Sequence, residues 1–329
     1  MTVPLATRMA GADLAAIEAA VRCLDGGGLV AFPTETVYGL GADAGNAAAV
    51  ARLYAAKGRP AFNPLIAHVP DHAAAERLAC FDADAGRLAA AFWPGPLTLV
   101  LPKAPGCPVA ELATAGFDSL AVRVPRHALA QKILSSFGRP VVAPSANRSG
   151  HVSPTTAEHV LSDLGGRIDL IVDGGATPVG VESTIVACLG ETVLLRPGGT
   201  PREAIEHALG HRLAEPPAGF PVDDDAPLAP GMLASHYAPQ ARLRLDAARV
   251  EPGEALLAFG PTLIAGAAQA TRVLNLSAQG DLIEAAANLF SHLRALDASG
   301  LTTIAVMAIP HHDLGEAIND RLKRAASPR

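Results

Sequence analysis

The runs Leu170-Ile171-Val172, Thr184-Ile185-Val186-Ala187 and Val193-Leu194-Leu195 decide how this chain folds. Each is short, apolar and rich in branched residues. Gly, Pro and acidic residues separate them, which reads as strand after strand with no helix between. Parallel neighbours need a crossover of about a dozen residues, usually helical, so the three runs point to a mixed sheet rather than a doubly wound one. Upstream, strand patterns at 29–32, 65–69, 97–101, 119–124 and 141–143 are interspersed with helical patterns at 13–24, 46–57, 84–92, 128–137 and 155–164. A helix over 201–209 closes the region. Asn46 is a natural N-cap. Gly26-Gly27-Gly28 stops the first helix, and Trp93-Pro94-Gly95-Pro96 stops the one before 97. Residues 34–40 read as a polar turn after the first strand. The whole is a mixed, twisted α/β domain expected over residues 1–212.

Residues 213–240 differ in character. Pro216-Pro217, Gly219, Pro221, Asp223-Asp224-Asp225, Pro227 and Pro230-Gly231 suit neither a helix nor a central strand, so the segment is a Pro-rich linker. Beyond it, strands at 255–259, 273–276 and 303–309 alternate with a long helix at 281–296 and a basic helix at 315–325. Residues 241–329 are thus expected to form a smaller, Rossmann-like α/β domain.

At 329 residues the chain has the length of two domains, and half of its residues are hydrophobic. A net charge of −6 argues against a general polyanion binder, while leaving room for a local basic cleft. Cys23, Cys80, Cys107 and Cys188 form no C-x-x-C pair and fit neither a zinc site nor a disulfide framework. Scattered thiols suit a reducing compartment. With no leader pattern and no run of ~18 apolar residues, a soluble cytoplasmic protein without a membrane partner is expected.

Cations recur among apolar segments. Lys57-Gly58-Arg59-Pro60 ends a helix and leads to Asn63-Pro64-Leu65. Arg123 lies in an apolar strand pattern. Ser145-Ala146-Asn147 follows another strand, and Arg196 precedes Pro197-Gly198-Gly199. Fixed cations with hydroxyl and amide groups at strand ends make a site for anions and nucleotides. Plainer readings stand beside this one. Lys57 and Arg59 also suit a solvated helix end meeting the macrodipole. Arg123, sharing a face with Ala121, also suits the polar face of a period-2 strand. His68 reads as a structural imidazole, and His311-His312 as surface. No G-x-S-x-G surrounds Ser145, and no G-K-[ST] follows Gly26-Gly27-Gly28, so neither a nucleophile elbow nor a P-loop is present.

Taken in order, the segments Pro33-Thr34-Glu35-Thr36-Val37-Tyr38-Gly39-Leu40, Lys57-Gly58-Arg59-Pro60, Asn63-Pro64-Leu65, Trp93-Pro94-Gly95-Pro96-Leu97-Thr98, Arg123-Val124-Pro125, Ala143-Pro144-Ser145-Ala146-Asn147, Ser149-Gly150, Ser153-Pro154-Thr155, Glu182-Ser183-Thr184 and Arg196-Pro197-Gly198 resemble the signature blocks of threonylcarbamoyl-AMP synthases. The first domain thus looks YrdC-like. Pro230-Gly231-Met232 and His236-Tyr237-Ala238-Pro239 resemble the linker of the long, two-domain form of the Sua5/YrdC/YciO family.

The resemblance implies condensation of L-threonine, bicarbonate or CO2, and ATP to threonylcarbamoyl-AMP and pyrophosphate, with Mg²⁺ accompanying ATP. A separate threonylcarbamoyl-transferase complex would then modify tRNA, and direct contact of this chain with tRNA stays open. By resemblance, Lys57 and Arg59 carry catalysis and, with Asn63, contact the phosphates. Ser119, Ser145, Asn147, Ser153, Arg196, His236 and Tyr237 complete the ATP site. Thr34, Thr36, His68, Arg123, Ala143 and Ser183 surround threonine, with Arg123 on its carboxylate. The linker is expected to close as a lid. The metal ligands are not identified. Two rivals are a hydrogenase-maturation carbamoyltransferase, whose zinc-finger cysteines are not seen here, and an RNA-binding module, which the acidic balance disfavours.

Overall fold

The computed structural model describes residues 5–214 and 237–327. Strands β1 (Arg8–Ala10), β2 (Val30–Pro33), β3 (Tyr38–Asp43), β4 (Ile66–His68), β5 (Leu97–Pro102), β6 (Ser119–Arg123), β7 (Val141–Val142), β8 (Leu170–Val172), β9 (Thr184–Cys188) and β10 (Thr192–Arg196) join in one ten-stranded sheet. Their order is β1-β8-β2-β3-β7-β4-β6-β5-β9-β10. The sheet is mixed: β2 runs parallel to β8 but antiparallel to β3.

Helices α1 (Leu14–Asp25), α2 (Ala47–Lys57), α3 (His72–Glu76), α4 (Ala83–Phe92), α5 (Ala128–Phe137), α6 (Ala157–Leu164) and α7 (Arg202–Leu209) cover the sheet. Period-2 alternation sorts the faces. Val30 and Phe32 of β2 pack with Ile17 of α1 and Ile133 of α5. Leu29 and Ala31 pack on the other side, in a core that also holds Leu53, Leu88, Val160 and Ile205 from α2, α4, α6 and α7. The helix starts follow local chemistry. The Asn46 side chain accepts from the Ala48 and Ala49 N–H groups, and Asp13 and Asp82 cap α1 and α4.

Three expectations change. Residues 38–40 belong to a strand, not to a longer turn, and only 34–37 turn. Within this strand Gly41 permits close packing, because a Cβ there would meet the Phe32 ring at 2.7 Å. The three runs from 170 to 195 are not all neighbours. β8 inserts between β1 and β2, far from the β9–β10 hairpin, so residues 173–183 cross the molecule. Finally, the face that Arg123 shares with Ala121 is not solvated. Ile66, Val100, Ala121, Ile185, Val193 and Leu195 bury it.

The second unit is a parallel four-stranded sheet, ordered β11-β14-β12-β13. Its strands are β11 (Arg242–Arg244), β12 (Ala255–Ala258), β13 (Val273–Asn275) and β14 (Thr303–Val306), with helices α8 (Leu282–Asp297) and α9 (Leu314–Ala326). Leu257, Phe290, Ile304 and Ile318 form its core, and Val37, Val152 and Val181 of the first unit join that same core. The contact is close. At Gly180, with φ of +76°, a Cβ would stand 2.3 Å from the Ala286 carbonyl oxygen. Most of the linker, including His236, lies outside the described residues. Among the described residues, no helix is long and apolar enough to cross a membrane, and no three His, Cys, Asp or Glu side chains gather as a metal site.

Candidate functional site

Topology brings the cations together. His68 and Arg123 end the parallel pair β4–β6 and face each other in register. Ile66 and Ala121, two residues earlier on the same face, are also partners. A bulge between Leu194 and Arg196 pairs Arg196 with Ile185, re-aiming it toward this face. Ser183 precedes β9 at the same sheet edge. The Ala143 N–H donates to the Ile66 carbonyl at 3.0 Å, which holds residues 143–145 alongside. The result is a small cavity lined by Thr36, Arg59, His68, Arg123, Ala143, Ser145, Ser183, Arg196 and Tyr237, with Glu182 in its wall.

Arg123 is 3% exposed and fully directed. Nε donates to the Gly95 carbonyl at 3.2 Å, Nη1 to Thr36 Oγ1 at 3.0 Å and Nη2 to Glu35 Oε1 at 2.7 Å. Two of its five N–H groups remain for a ligand. Thr34 donates its hydroxyl to the Val37 carbonyl, so Thr36 must be the donor in the 2.8 Å hydroxyl pair. Burial opposes ionisation of Glu35, but the Arg123 charge and the Arg126 backbone N–H outweigh it and hold the carboxyl below its ordinary range.

His68 is buried and neutral. Its Nδ1 lies 3.1 Å from the Ile66 carbonyl, which assigns the proton to Nδ1 and leaves Nε2 as acceptor. Burial, then the Arg123 charge, pushes its pKa down to about 3. The unfolded chain therefore binds a proton near pH 6.5 that the folded one refuses until about pH 3. Stability should fall across that window as pH drops. His68→Asn should flatten the fall by about 1.4 kcal/mol per pH unit between roughly pH 6 and 4.5, before carboxylates titrate. Urea midpoints at several pH values check this, and parallel slopes for both proteins would remove His68 from the account.

Lys57, Arg59 and Asn63 form the second group. The αL cap at Gly58 ends α2 and turns the chain so that Lys57 and Arg59 both point inward. The solvated helix end is thereby ruled out, since Lys57 is 3% and Arg59 8% exposed. Lys57 Nζ donates to the Ser145 carbonyl at 2.6 Å and the Asn147 carbonyl at 2.5 Å. Burial, then the neighbouring Arg59 charge, pushes its pKa well below the usual lysine value. Arg59 donates from Nε to the Asn63 carbonyl at 3.1 Å and from Nη2 to Asn63 Oδ1 at 2.5 Å. Lys57 and Asn63 stand behind the cavity wall and hold Ser145 and Arg59, which line it.

The third group lies around Glu182. The Ser153 hydroxyl donates to Glu182 Oε1. Ser183 Oγ lies 2.8 Å from Thr98 Oγ1 and receives Arg196 Nη2 at 3.3 Å. Asn147 Nδ2 donates to the Arg148 and His151 carbonyls, each at 2.8 Å, which fixes the amide orientation. Its Oδ1 is buried and has no partner among the described residues. Tyr237 is buried over the cavity, and the following Ala238 N–H donates to the Gly150 carbonyl.

The structure does not bring Ser119 to this place. It starts β6 while Arg123 ends it, and four residues of strand separate them by roughly 13 Å. Thr34 is buried behind Thr36, and His236 lies outside the described residues. Reading residues alone missed Glu35, Glu182 and Thr98 as site members. The signal was present: acidic residues stand amid apolar and hydroxyl neighbours in a chain whose buried cations require counter-charges.

Comparison with known proteins follows the same division. A family described as telomere recombination matches residues 22–198, and one described as the threonylcarbamoyl-AMP synthase C-terminal domain matches 200–327. The chain is 44% identical over 317 residues to a threonylcarbamoyl-AMP synthase of Pyrococcus abyssi, covering 92% of each chain. It is 41% identical over 314 residues to that of Bacillus subtilis, covering 92% of this chain and 90% of the relative. Pyrococcus abyssi Sua5 complexed with L-threonine superposes with a TM-score of 0.86 at 40% identity, covering 99% of this chain and 98% of that one. Escherichia coli YciO, at 22% identity and a TM-score of 0.52 over 59% of this chain, shares the fold of the first unit.

Proposed function

This chain belongs to the threonylcarbamoyl-AMP synthase family, and we propose that it condenses L-threonine, bicarbonate or CO2, and ATP into threonylcarbamoyl-AMP, releasing pyrophosphate. The observation that supports this most is the junction of two cation groups on one cavity. Arg123, Arg59 and Arg196 all line it, and Arg59 and Arg196 are close enough to feel each other's charge. An amino-acid carboxylate suits the two free N–H groups of Arg123, which Glu35 and Thr36 hold in a fixed orientation. The triphosphate suits Arg59 and Arg196, with Lys57 behind them holding the Ser145 and Asn147 carbonyls. The solved relative that carries L-threonine agrees with threonine as the amino acid.

The threonine amine first adds to CO2, forming an N–C bond and losing a proton to give a carbamate. A carbamate oxygen then attacks the α-phosphorus, and the bond to the β-phosphate oxygen breaks as pyrophosphate leaves. His68 Nε2, neutral and an acceptor, is suited to hold the threonine hydroxyl or amine without adding positive charge. Arg59 and Arg196 would face the phosphates, and because Asn63 and Ser183 already hold their guanidinium groups, they would stabilise the transition-state charge without reorganisation. Bringing the reactants together supplies much of the remaining acceleration. Mg²⁺ would screen the phosphate charge. Its shell would come mostly from phosphates and water, and no protein oxygen lining the cavity is assigned to it.

The cavity is about 40 Å³, room for on the order of three waters, so ATP entry requires the cover bearing Tyr237 to open. A closed cover keeps water from the mixed anhydride. The product is a reactive acyl adenylate, suited to a transfer system that modifies tRNA, and a cytoplasmic location suits that task. Pyrophosphate release measured with threonine and bicarbonate each omitted tests the proposal. Release should require both, and mass spectrometry should find the adenylate. Release indifferent to threonine would overturn the reading.

A further inference from the structure

The cavity wall is completed from outside its own unit. Arg321, on α9, is 0% exposed. Its Nε donates to Glu182 Oε2 at 2.8 Å and its Nη1 to Asp320 Oδ2 at 2.5 Å. Its guanidinium carbon lies 5.2 Å from the centre of the Tyr237 ring, and that ring stacks on Phe290 of α8 at 5.6 Å. Arg321 Nη2 is buried with no partner among the described residues. Glu182 and Tyr237, the groups it holds, both line the cavity beside Ser183 and Arg196.

Stability alone does not account for this arrangement. The two units already share an apolar core, and partly exposed pairs such as Arg202–Glu316 and Arg294–Asp163 also tie them. A buried ion pair is often no more stabilising than apolar residues of the same volume. An arginine with an unmatched N–H is a poor anchor, whereas an arginine that orients two cavity-lining groups has a task there.

We propose that Arg321 is a positioning residue for catalysis, through which α9 of the C-terminal unit holds Glu182 and Tyr237 in the closed wall of the cavity. Glu182 links the two sides. One carboxylate oxygen accepts from Arg321, and the other accepts from the Ser153 hydroxyl. Burial opposes the Glu182 charge, while Arg321 and then Arg196 restore it, holding its pKa below the ordinary glutamate range. Without Arg321, Glu182 takes up a proton more readily and Tyr237 loses the cation beside its ring. The wall then loosens, and water reaches the adenylate. Attack of water on the threonylcarbamoyl–phosphate linkage returns AMP and carbamate, which reverts to threonine and CO2. The C-terminal unit thereby sets how well ATP cleavage is coupled to product.

This inference rests on the proposed adenylation, and the test separates the two. Pyrophosphate released per threonylcarbamoyl-AMP formed is measured for the full chain and for Arg321→Met, Arg321→Lys and Arg202→Met, with thermal unfolding in parallel. If the unsubstituted protein releases no threonine-dependent pyrophosphate, the adenylation reading fails. If it does, Arg321→Met should fold, lose at least about tenfold in kcat, and raise the ratio severalfold above one. Arg321→Lys keeps the charge but not the fork that serves two partners, so it should show the same fault in weaker form. Arg202→Met, at the same interface but away from the cavity, should keep a ratio near one. Should Arg321→Met not fold, Arg321→Lys decides. A folded variant of either kind with unchanged kcat and ratio would overturn the proposal and leave Arg321 an anchor between units.

Discussion

Arg59→Ala is expected to lower turnover by roughly 100- to 1,000-fold while the protein still folds, the size of loss seen when a fixed donor to transition-state charge is removed. Arg59 lines the cavity, and its fork is held by Asn63 and the Pro64 carbonyl before any ligand arrives. Removing it strands Asn63 Oδ1 and the Pro64 carbonyl, while Tyr54 still serves the Asn63 carbonyl, which destabilises by about 1–3 kcal/mol, within the margin of a typical domain. Arg59→Lys should recover little, because an ammonium cannot serve Asn63 and a phosphate in one plane. Initial rates with saturating ATP, read beside thermal unfolding, check this. Wild-type rates for Arg59→Ala would remove Arg59 from the site.

Arg123→Met should have the largest effect on stability. Its partner Glu35 would be left charged and buried, since both side chains are 4% exposed. Breaking such a pair from one side destabilises by about 3–5 kcal/mol. The double variant Glu35→Gln with Arg123→Met removes both charges and should regain much of that loss. Its threonine KM should nevertheless stay raised by 100-fold or more, because the carboxylate partner is gone. Chemical denaturation and threonine-dependent rates across the cycle separate the two roles. A double variant with an ordinary threonine KM would show that Arg123 serves only to hold Glu35.

Neighbouring residues were enough to place the longer helices, while the five-residue α3, capped by Asp71, was not read from the sequence. Asn46, Asp13 and Asp82 lie next to the N–H groups that they cap, and Gly58 sits where the backbone must turn left-handed, so the start of α2 and the inward turn after it are local events. The ordered blocks from Thr34 to Arg196 likewise pointed to the family, and most of the cavity lining came from them. Strand pairing was less legible. β8, β9 and β10 follow one another along the chain, yet β8 pairs with β2 and β9 with β5, because apolar runs carry no label for their partners. Residues 38–40 read as a turn, but Gly39 packs against Ala143 and the neighbouring Gly41 against Phe32, inside a strand.

Burial of charge was also decided at long range. A period-2 pattern puts Arg123 and Ala121 on one face, but only the packing of Ile66, Ile185 and Leu195 makes that face dry. Once it is dry, Glu35 must stand opposite Arg123. Glu182 meets Arg321 across 139 residues, a pairing that no local pattern signals. Short-range hydrogen bonding thus determined where elements begin and end. Long-range desolvation determined which cations became a site, because a charge withdrawn from water must find its partner wherever the fold brings one.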